Sequence, residues 1–364
     1  MERNEINDGK PLVNDYSASS VEEYLEVMMF LSRRIRGEQG ALPRLWYRGQ
    51  QRNSNLNPSL FRDARTRLNE QGYSKNHLRE DYRYQFFRAR CNQLVTSSPD
   101  SKIEWTELMQ HHLVHTRLMD WSESAVTALL FAVEPFLNPN GKNHDILYRR
   151  STITPVVWIL DPVTLNDYVY AEFLKRPDFL RDALPDVTPF HMTDEQRERI
   201  ADEIFRRLEK KKDAYFMKET DCAIISLSVI ESDRHAASGR LLQLLENDQF
   251  NPFFYLLLRY YNDGLPVPVE TLPPLAVVHP YHSERIQVQR GVFTVTPHYR
   301  QEVKGVDRRP MNLHPAARKC LYKIRVTRPA RVAEELLEMG ERMTSLYPEL
   351  AIYSEDIEAE TYMF

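Results

Sequence analysis

Cysteine is scarce and scattered. The chain of 364 residues has three, Cys91, Cys222 and Cys320, and no CxxC pair. An odd number of widely separated thiols supports neither a disulfide framework nor a cysteine zinc site. A large excess of charge is missing too. The net charge is -4 and the isoelectric point about 6.3, which excludes bulk attraction to nucleic acid or membranes and leaves only local basic patches. No apolar run approaches the roughly 20 residues of a membrane span. The stretch Met1-Glu2-Arg3-Asn4-Glu5 lacks the apolar core of a signal peptide. A soluble, cytoplasmic protein with no membrane partner is the expectation. Internal repeats and low-complexity segments are absent. What remains is ordinary globular composition, 42% hydrophobic and 27% charged, in a chain long enough for a sizeable core.

Residues 1–18 are polar and are expected to be a loose terminus, with a single domain over 19–364. Ser20-Val21-Glu22-Glu23 reads as a capping box opening a helix that ends near Gly37. Leu45 to Arg48 is a short strand closed by Gly49, and Asn57-Pro58-Ser59-Leu60-Phe61 a turn into a short helix. Helices follow over about Asn76 to Leu94 and Trp105 to Leu113. Thr116 to Met119 reads as a buried turn or strand, Ser122 or Ser124 as the cap of a helix Ala125 to Phe136, and Pro155 to Leu160 as a core strand. From about 162 to 260 the pattern is largely helical and looks inserted. It includes a capping box at Thr193 to Gln196, the charged end Lys210-Lys211-Lys212, a strand-like Ala223 to Leu227, and apolar stretches Leu241 to Leu245 and Phe253 to Leu258. Strands resume at Leu275 to Val278, Ile286 to Thr296 and Leu321 to Val326. A last helix, Ala330 to Met339, stops at Gly340. This order suits an α+β domain with a helical insertion.

Three constellations could carry chemistry. The densest is Gln110 to Trp121, with His111, His112, His115, Arg117, Asp120 and Trp121 just ahead of an apolar helix. Polar groups beside a core need partners, so the stretch is either a hydrogen-bonded corner or the floor of a site. On a helix, His111 and His115 would have metal-competent spacing, but no acid completes an HExxH pattern, and no metal is expected. Asp120 could cap the next helix, fix Arg117 or act as a base. The second is Tyr47-Arg48-Gly49-Gln50. Arg48 can present its fork to a phosphate or carboxylate, with Gly49 letting a ligand approach the backbone, or it can pair with an internal carboxylate such as Asp120. The third is Glu284 to Val295. As a strand it puts Arg285, Gln287 and Gln289 on one face and Ile286 and Val288 on the other, with a bulge at Gly291, so the polar face looks onto a cleft or solvent.

These pieces together resemble the FRG-domain family, named for an aromatic-Arg-Gly motif that stands here as Tyr47-Arg48-Gly49. The family's proline segment looks like Asn57 to Arg62, its Gln-His-His element like Gln110-His111-His112, and its Thr-Arg-Leu-Asp-Trp pattern like Thr116 to Trp121. The Phe-Ala helix end matches Ala128 to Ala132. Arg285-Ile286, Gln289, Gly291-Val292-Phe293, Met339-Gly340 and Leu346 to Leu350 are also family-like. The resemblance covers about residues 44–350 outside the insertion. One departure is Leu113-Val114-His115, where the family usually has glycine before a small apolar residue and proline.

A weaker resemblance is to ADP-ribosyltransferases of the Arg-Ser-Glu type. It implies an ADP-ribosyltransferase-like mixed β core with surrounding helices, and NAD as substrate. Arg48, Glu284 and Gln289 would be the catalytic positions, and Tyr47, Arg48, Gly49, Gln50, His111, His112, Arg117, Asp120 and Ser122 would line the NAD site. The chemistry needs an arginine on a phosphate or ribose and a carboxylate to stabilise the oxocarbenium-like centre. Here Gln287-Val288-Gln289 stands where that family carries its Glu, and Glu284 is the nearest acid. The reading this implies is an NAD-dependent ADP-ribosyltransferase modifying RNA, DNA or protein, toxin-like, in a bacterial defence or toxin–antitoxin setting, with a possible neutralising antitoxin or chaperone. A non-enzymatic binding module with the same cleft, or a metal-dependent nuclease or hydrolase using the histidines with Asp120, are the alternatives. For a nucleic-acid acceptor, Arg33-Arg34-Ile35-Arg36, Arg79 to Arg90 and Lys210 to Lys212 are the candidate basic patches.

Overall fold

The computed structural model describes residues 6–7, 10–11, 13–39, 45–62, 76–91, 102–137, 154–174, 273–278, 284–296, 310–349, 352, 354 and 356–357. Of the expected insertion only its first helix falls among them. The features read at Thr193 to Gln196, Lys210 to Lys212, Ala223 to Leu227, Leu241 to Leu245 and Phe253 to Leu258 lie outside the described residues.

Seven strands form one sheet: β1 (Asn14–Ala18), β2 (Trp46–Gln50), β3 (Leu118–Ser122), β4 (Val156–Leu160), β5 (Leu275–Val277), β6 (Gly291–Val295) and β7 (Leu321–Val326). Their order is β1-β7-β4-β2-β3-β6-β5. β1 runs parallel to β7, and every other pair in this sheet is antiparallel. The helices are α1 (Val21–Gln39), α2 (Asn76–Cys91), α3 (Lys102–His111), α4 (Ala125–Leu137), α5 (Pro162–Leu174), α6 (Glu284–Val288), α7 (Ala317–Cys320) and α8 (Pro329–Glu338). The described part is therefore mixed α and β around a mostly antiparallel sheet.

The alternation of the strands places the core. Tyr47, Val157, Ile159, Tyr322 and Ile324 point to one face, where Tyr24, Leu31 and Ile35 of α1, Ala128, Ala132 and Val133 of α4, and Val332 and Leu336 of α8 meet them. Each fully buried aliphatic side chain contributes roughly 1.5–3 kcal/mol. At the start of α1, Ser20 Oγ accepts the Glu23 N–H at 3.2 Å, as a capping box requires. The Glu23 carboxylate reaches one residue further back than expected, to the Ser19 N–H at 2.6 Å. The Val21 N–H is taken instead by Glu335 of α8 at 2.7 Å, which ties the start of α1 to the body of α8.

Two sequence expectations are corrected. Asn14–Ala18, placed in the loose terminus, is an ordered edge strand. Its outward side chains are polar, so no apolar alternation announces it, and its pairing partner is sequence-remote. The strand expected from Ile286 begins only at Gly291. Glu284–Val288 is a helical turn, Arg290 takes a positive φ of 47°, and the chain then enters β6. The Ile-Gln-Val-Gln alternation fits a short helix that buries one residue just as well, and Ile286 is that residue. Gly291 makes room for it, since a Cβ there would lie 2.9 Å from Ile286 Cγ2.

Candidate functional site

The sheet opens at its centre. β2 pairs with β4 along Trp46 to Gln50, but with β3 only at Tyr47–Ser122. Past that pair the two strands diverge, and the Arg48 guanidinium, in place of a strand N–H, donates to the Asp120 carbonyl. Arg48 Nη1 also stands 3.9 Å from Asp120 Oδ2, so the internal-carboxylate pairing read from the sequence is present. It is loose and lopsided. The Arg48 side chain is 15% exposed and that of Asp120 57%, which leaves the carboxylate facing solvent. Burial, and secondarily Arg62, bring the Arg48 pKa down to about 10 while Asp120 works against them, so the guanidinium remains charged at neutral pH. Burial likewise lowers Arg62, again opposed by Asp120.

Asp120 is held from the other side. Gln110 Nε2 donates to Asp120 Oδ1, the Thr116 hydroxyl donates to Gln110 Oε1, and Thr116 Oγ1 accepts the Leu118 N–H at 3.2 Å. This relay fixes the carboxylate from the side away from Arg48 through neutral groups. His111, half-buried at the end of α3, borders the same opening. Burial lowers its pKa first, then the charges of Arg285 and His112, with Glu349 and Asp120 opposing. His111 is therefore neutral at physiological pH and can donate or accept one hydrogen bond.

The far wall comes from the end of the chain. Arg285 lies 4.5 Å over the Tyr347 ring and 3.7 Å from the Glu349 carboxylate. The Tyr347 hydroxyl donates to Glu134 Oε1 at 3.2 Å, and Gln51 Nε2 donates to Glu134 Oε2 at 3.0 Å. Burial raises the carboxyl of Glu134, and both donors and Arg285 pull it back. The same surroundings, burial first, push the Tyr347 phenol well up.

The structure thus gathers Arg48, Asp120 and His111 from the sequence candidates and adds Gln110, Arg62, Arg285, Glu349, Glu134, Tyr347 and Gln51. Of these, Gln110, Arg62, Arg285, Tyr347 and Glu349 lie in stretches quoted for the family resemblance, and Gln51 and Glu134 carried no separate signal. Other candidates go elsewhere. Gly49 does not open the backbone to a ligand. A Cβ on it would lie 1.9 Å from Ala128 O and 2.6 Å from Ala132 N, so the backbone of α4 fills that space. Tyr47 is in the core, where burial pushes its phenol up to about 12. Gln50 accepts the Trp158 indole N–H at 2.9 Å. Arg117 is buried, with Nε 3.6 Å from Glu80 Oε2 and its backbone N–H on Glu80 Oε1. Ser122 donates to Gln289 O at 2.6 Å and accepts the Ser124 N–H at 2.9 Å. Gln289 Nε2 donates to Leu346 O at 2.7 Å, which secures the chain just before Tyr347. Glu284 is exposed at the start of α6, and His112 is exposed beside His111, ring to ring at 5.2 Å. α3 ends at His111, so His111 and His115 do not share a helical face. Among the described residues no three His, Cys, Asp or Glu side chains form a metal-holding group, and no helix is long and apolar enough to cross a membrane.

Comparison with known families places this geometry. Residues 43–140 match the FRG domain family, so the chain carries an FRG domain over that stretch, from β2 through α4. Arg48, Gln110, His111 and Asp120 all lie within it. No curated protein and no solved structure matches the chain.

Proposed function

We propose that the opening beside Arg48 binds an anionic nucleotide, that this nucleotide is NAD, and that the chain transfers its ADP-ribose to a macromolecule. The observation that carries this reading is the pairing at the split in the sheet: a charged, largely buried guanidinium beside a braced but solvent-facing carboxylate. Arg48 would receive a phosphate or ribose oxygen, for which its fork is suited. Asp120 would hold ribose hydroxyls and stabilise positive charge at C1′. The C1′–nitrogen bond breaks with its electron pair leaving on nicotinamide. A nucleophile of the acceptor then bonds to C1′ and gives up its proton to solvent or to a nearby base. The carboxylate role falls to Asp120 because Glu284 is exposed on α6 and the Gln289 amide is engaged with Leu346. That same placement of Glu284 and Gln289 favours a second reading, nucleotide binding without transfer.

Incubation with NAD labelled in its adenylate half, together with cellular protein and RNA, tests the first reading through label transfer and nicotinamide release. Arg48→Ala should reduce either signal about 10- to 100-fold at an unchanged melting temperature, the scale of a lost hydrogen bond to a charged group. Calorimetric NAD binding with no release would leave the binding reading. Absence of both binding and release would remove both.

A further inference from the structure

We propose that the outer face of α2 binds single-stranded nucleic acid. The helix has four arginines, Arg79, Arg83, Arg88 and Arg90, against two acids, Glu80 and Asp81, in a chain whose total charge is -4. Glu80 is turned inward onto Arg117, so it does not offset the outer arginines. Aromatic side chains are interleaved with those arginines at helical spacing. Tyr82 and Phe86, one turn apart, are 58% and 57% exposed, and the Arg90 guanidinium lies 5.5 Å over the Phe86 ring. Beside them a cavity of about 330 Å³ is lined by Arg83, Phe86, Phe87, Arg90, Cys91 and Val114. Its inner wall is fixed. Phe87 packs edge-on against Trp105 at 6.3 Å, and Arg83 Nη1 donates to His115 O at 3.3 Å.

An aromatic ring left 57% exposed beside a guanidinium adds little buried area to the fold. It suits a ligand with both a flat face and a negative backbone. Nucleobases stack on such rings and phosphates pair with such arginines, a combination that tolerates any base sequence. A duplex keeps its bases stacked on each other, so the match is to a single strand. Phe87 and Val114 of the cavity lining adjoin His112, whose ring lies 6.3 Å from Phe87 and 5.2 Å from His111 at the cleft, so a strand bound here would run towards the reaction site proposed above.

Fluorescence anisotropy of a labelled single-stranded RNA of about 12 nucleotides, within the usual footprint of such surfaces, tests this. The full chain should bind, with affinity falling as salt rises. Arg88→Ala and Arg90→Ala should weaken binding and flatten the salt dependence by about 0.7 for each phosphate that is no longer neutralised. Phe86→Ala, or Tyr82→Ala if the first folds poorly, should weaken binding about fivefold or more and leave the salt slope unchanged. No binding at low salt, equal binding of duplex and single strand, equal competition by poly-glutamate, or variants that bind like the parent would each overturn it. The proposal stands apart from the NAD reading: RNA binding without nicotinamide release would remove transfer and leave this surface in place.

Discussion

Leu113 has the φ of a glycine. At 63° it lies in the left-handed region, and it closes α3 with the two bonds of a glycine-type helix end, Val114 N–H to Met109 O and Leu113 N–H to Gln110 O, both 2.9 Å. The leucine that stands where the family pattern has glycine thus takes a backbone conformation that glycine favours. A left-handed L-residue costs roughly 1–2 kcal/mol, while glycine's extra freedom in the unfolded chain costs about 0.4–1 kcal/mol. The side chain is 86% exposed, so its removal takes little packing with it. Leu113→Gly should stabilise the protein by up to about 1 kcal/mol, read as a higher urea midpoint at unchanged slope. A lower midpoint would mean that the leucine makes an interaction worth more than the strain. Arg117 teaches the opposite lesson at the same scale. Its motif position suggested a ligand, but a buried guanidinium with Glu80 beside it is a structural pair, and removal of one partner would leave a buried charge uncompensated.

Elements explain what single residues do not. β2 and α4 touch backbone to backbone at Gly49, and neither Ala128 O nor Ala132 N can swing aside as a flexible side chain would. Gly49→Ala should therefore cost about 1–3 kcal/mol or more through overpacking, and should lower the melting temperature before any ligand is added. A variant that melts like the parent but binds ligand poorly would restore the ligand-approach reading of this glycine. Most of these elements were legible in the sequence. The helix α4 was visible in its apolar run, β4 in its β-branched and aromatic content, and the stop of α8 in Gly340, whose φ is 88°. The failures have one physical form. β1 and α6 are short and half-exposed, and their own alternation does not decide them: the distant strand β7 decides the first, and the left-handed turn at Arg290 that leads into β6 the second. Of the site, Arg48, Asp120 and His111 were legible because the motif concentrates them. Glu134 was not, since nothing local distinguishes it from a surface charge; Arg285 and Glu349 stood in family-like stretches, but only the folded chain brings them together.

At the scale of the whole molecule, Glu134 is where remote parts of the chain are joined. It sits on α4, accepts from Gln51 just past β2 and from Tyr347 near the chain's end, and feels Arg285 from α6. Partners so far apart in sequence make its carboxyl a report on assembly of the domain rather than on one helix. Burial is the largest influence on it and raises its pKa above the ordinary carboxylate value, with Tyr347, Gln51 and Arg285 opposing. A carboxyl raised by folding binds more proton in the native than in the unfolded state across that window. Its relative contribution is fully present below the ordinary value and is lost as pH rises through the raised one. At about pH 7 the native state therefore bears the desolvation of a charged Glu134. An amide of the same shape keeps an acceptor for one of the two donors and carries no charge to desolvate. Glu134→Gln should accordingly be the more stable protein at about pH 7, with the difference narrowing as pH falls through the raised value towards about 4.5 and levelling off below it, where the parent's carboxyl is protonated in both states. Urea midpoints of both proteins from about pH 4 to pH 8 decide it. If the variant is less stable at neutral pH, the bonds from Tyr347 and Gln51 outweigh desolvation, and the junction is held by charge.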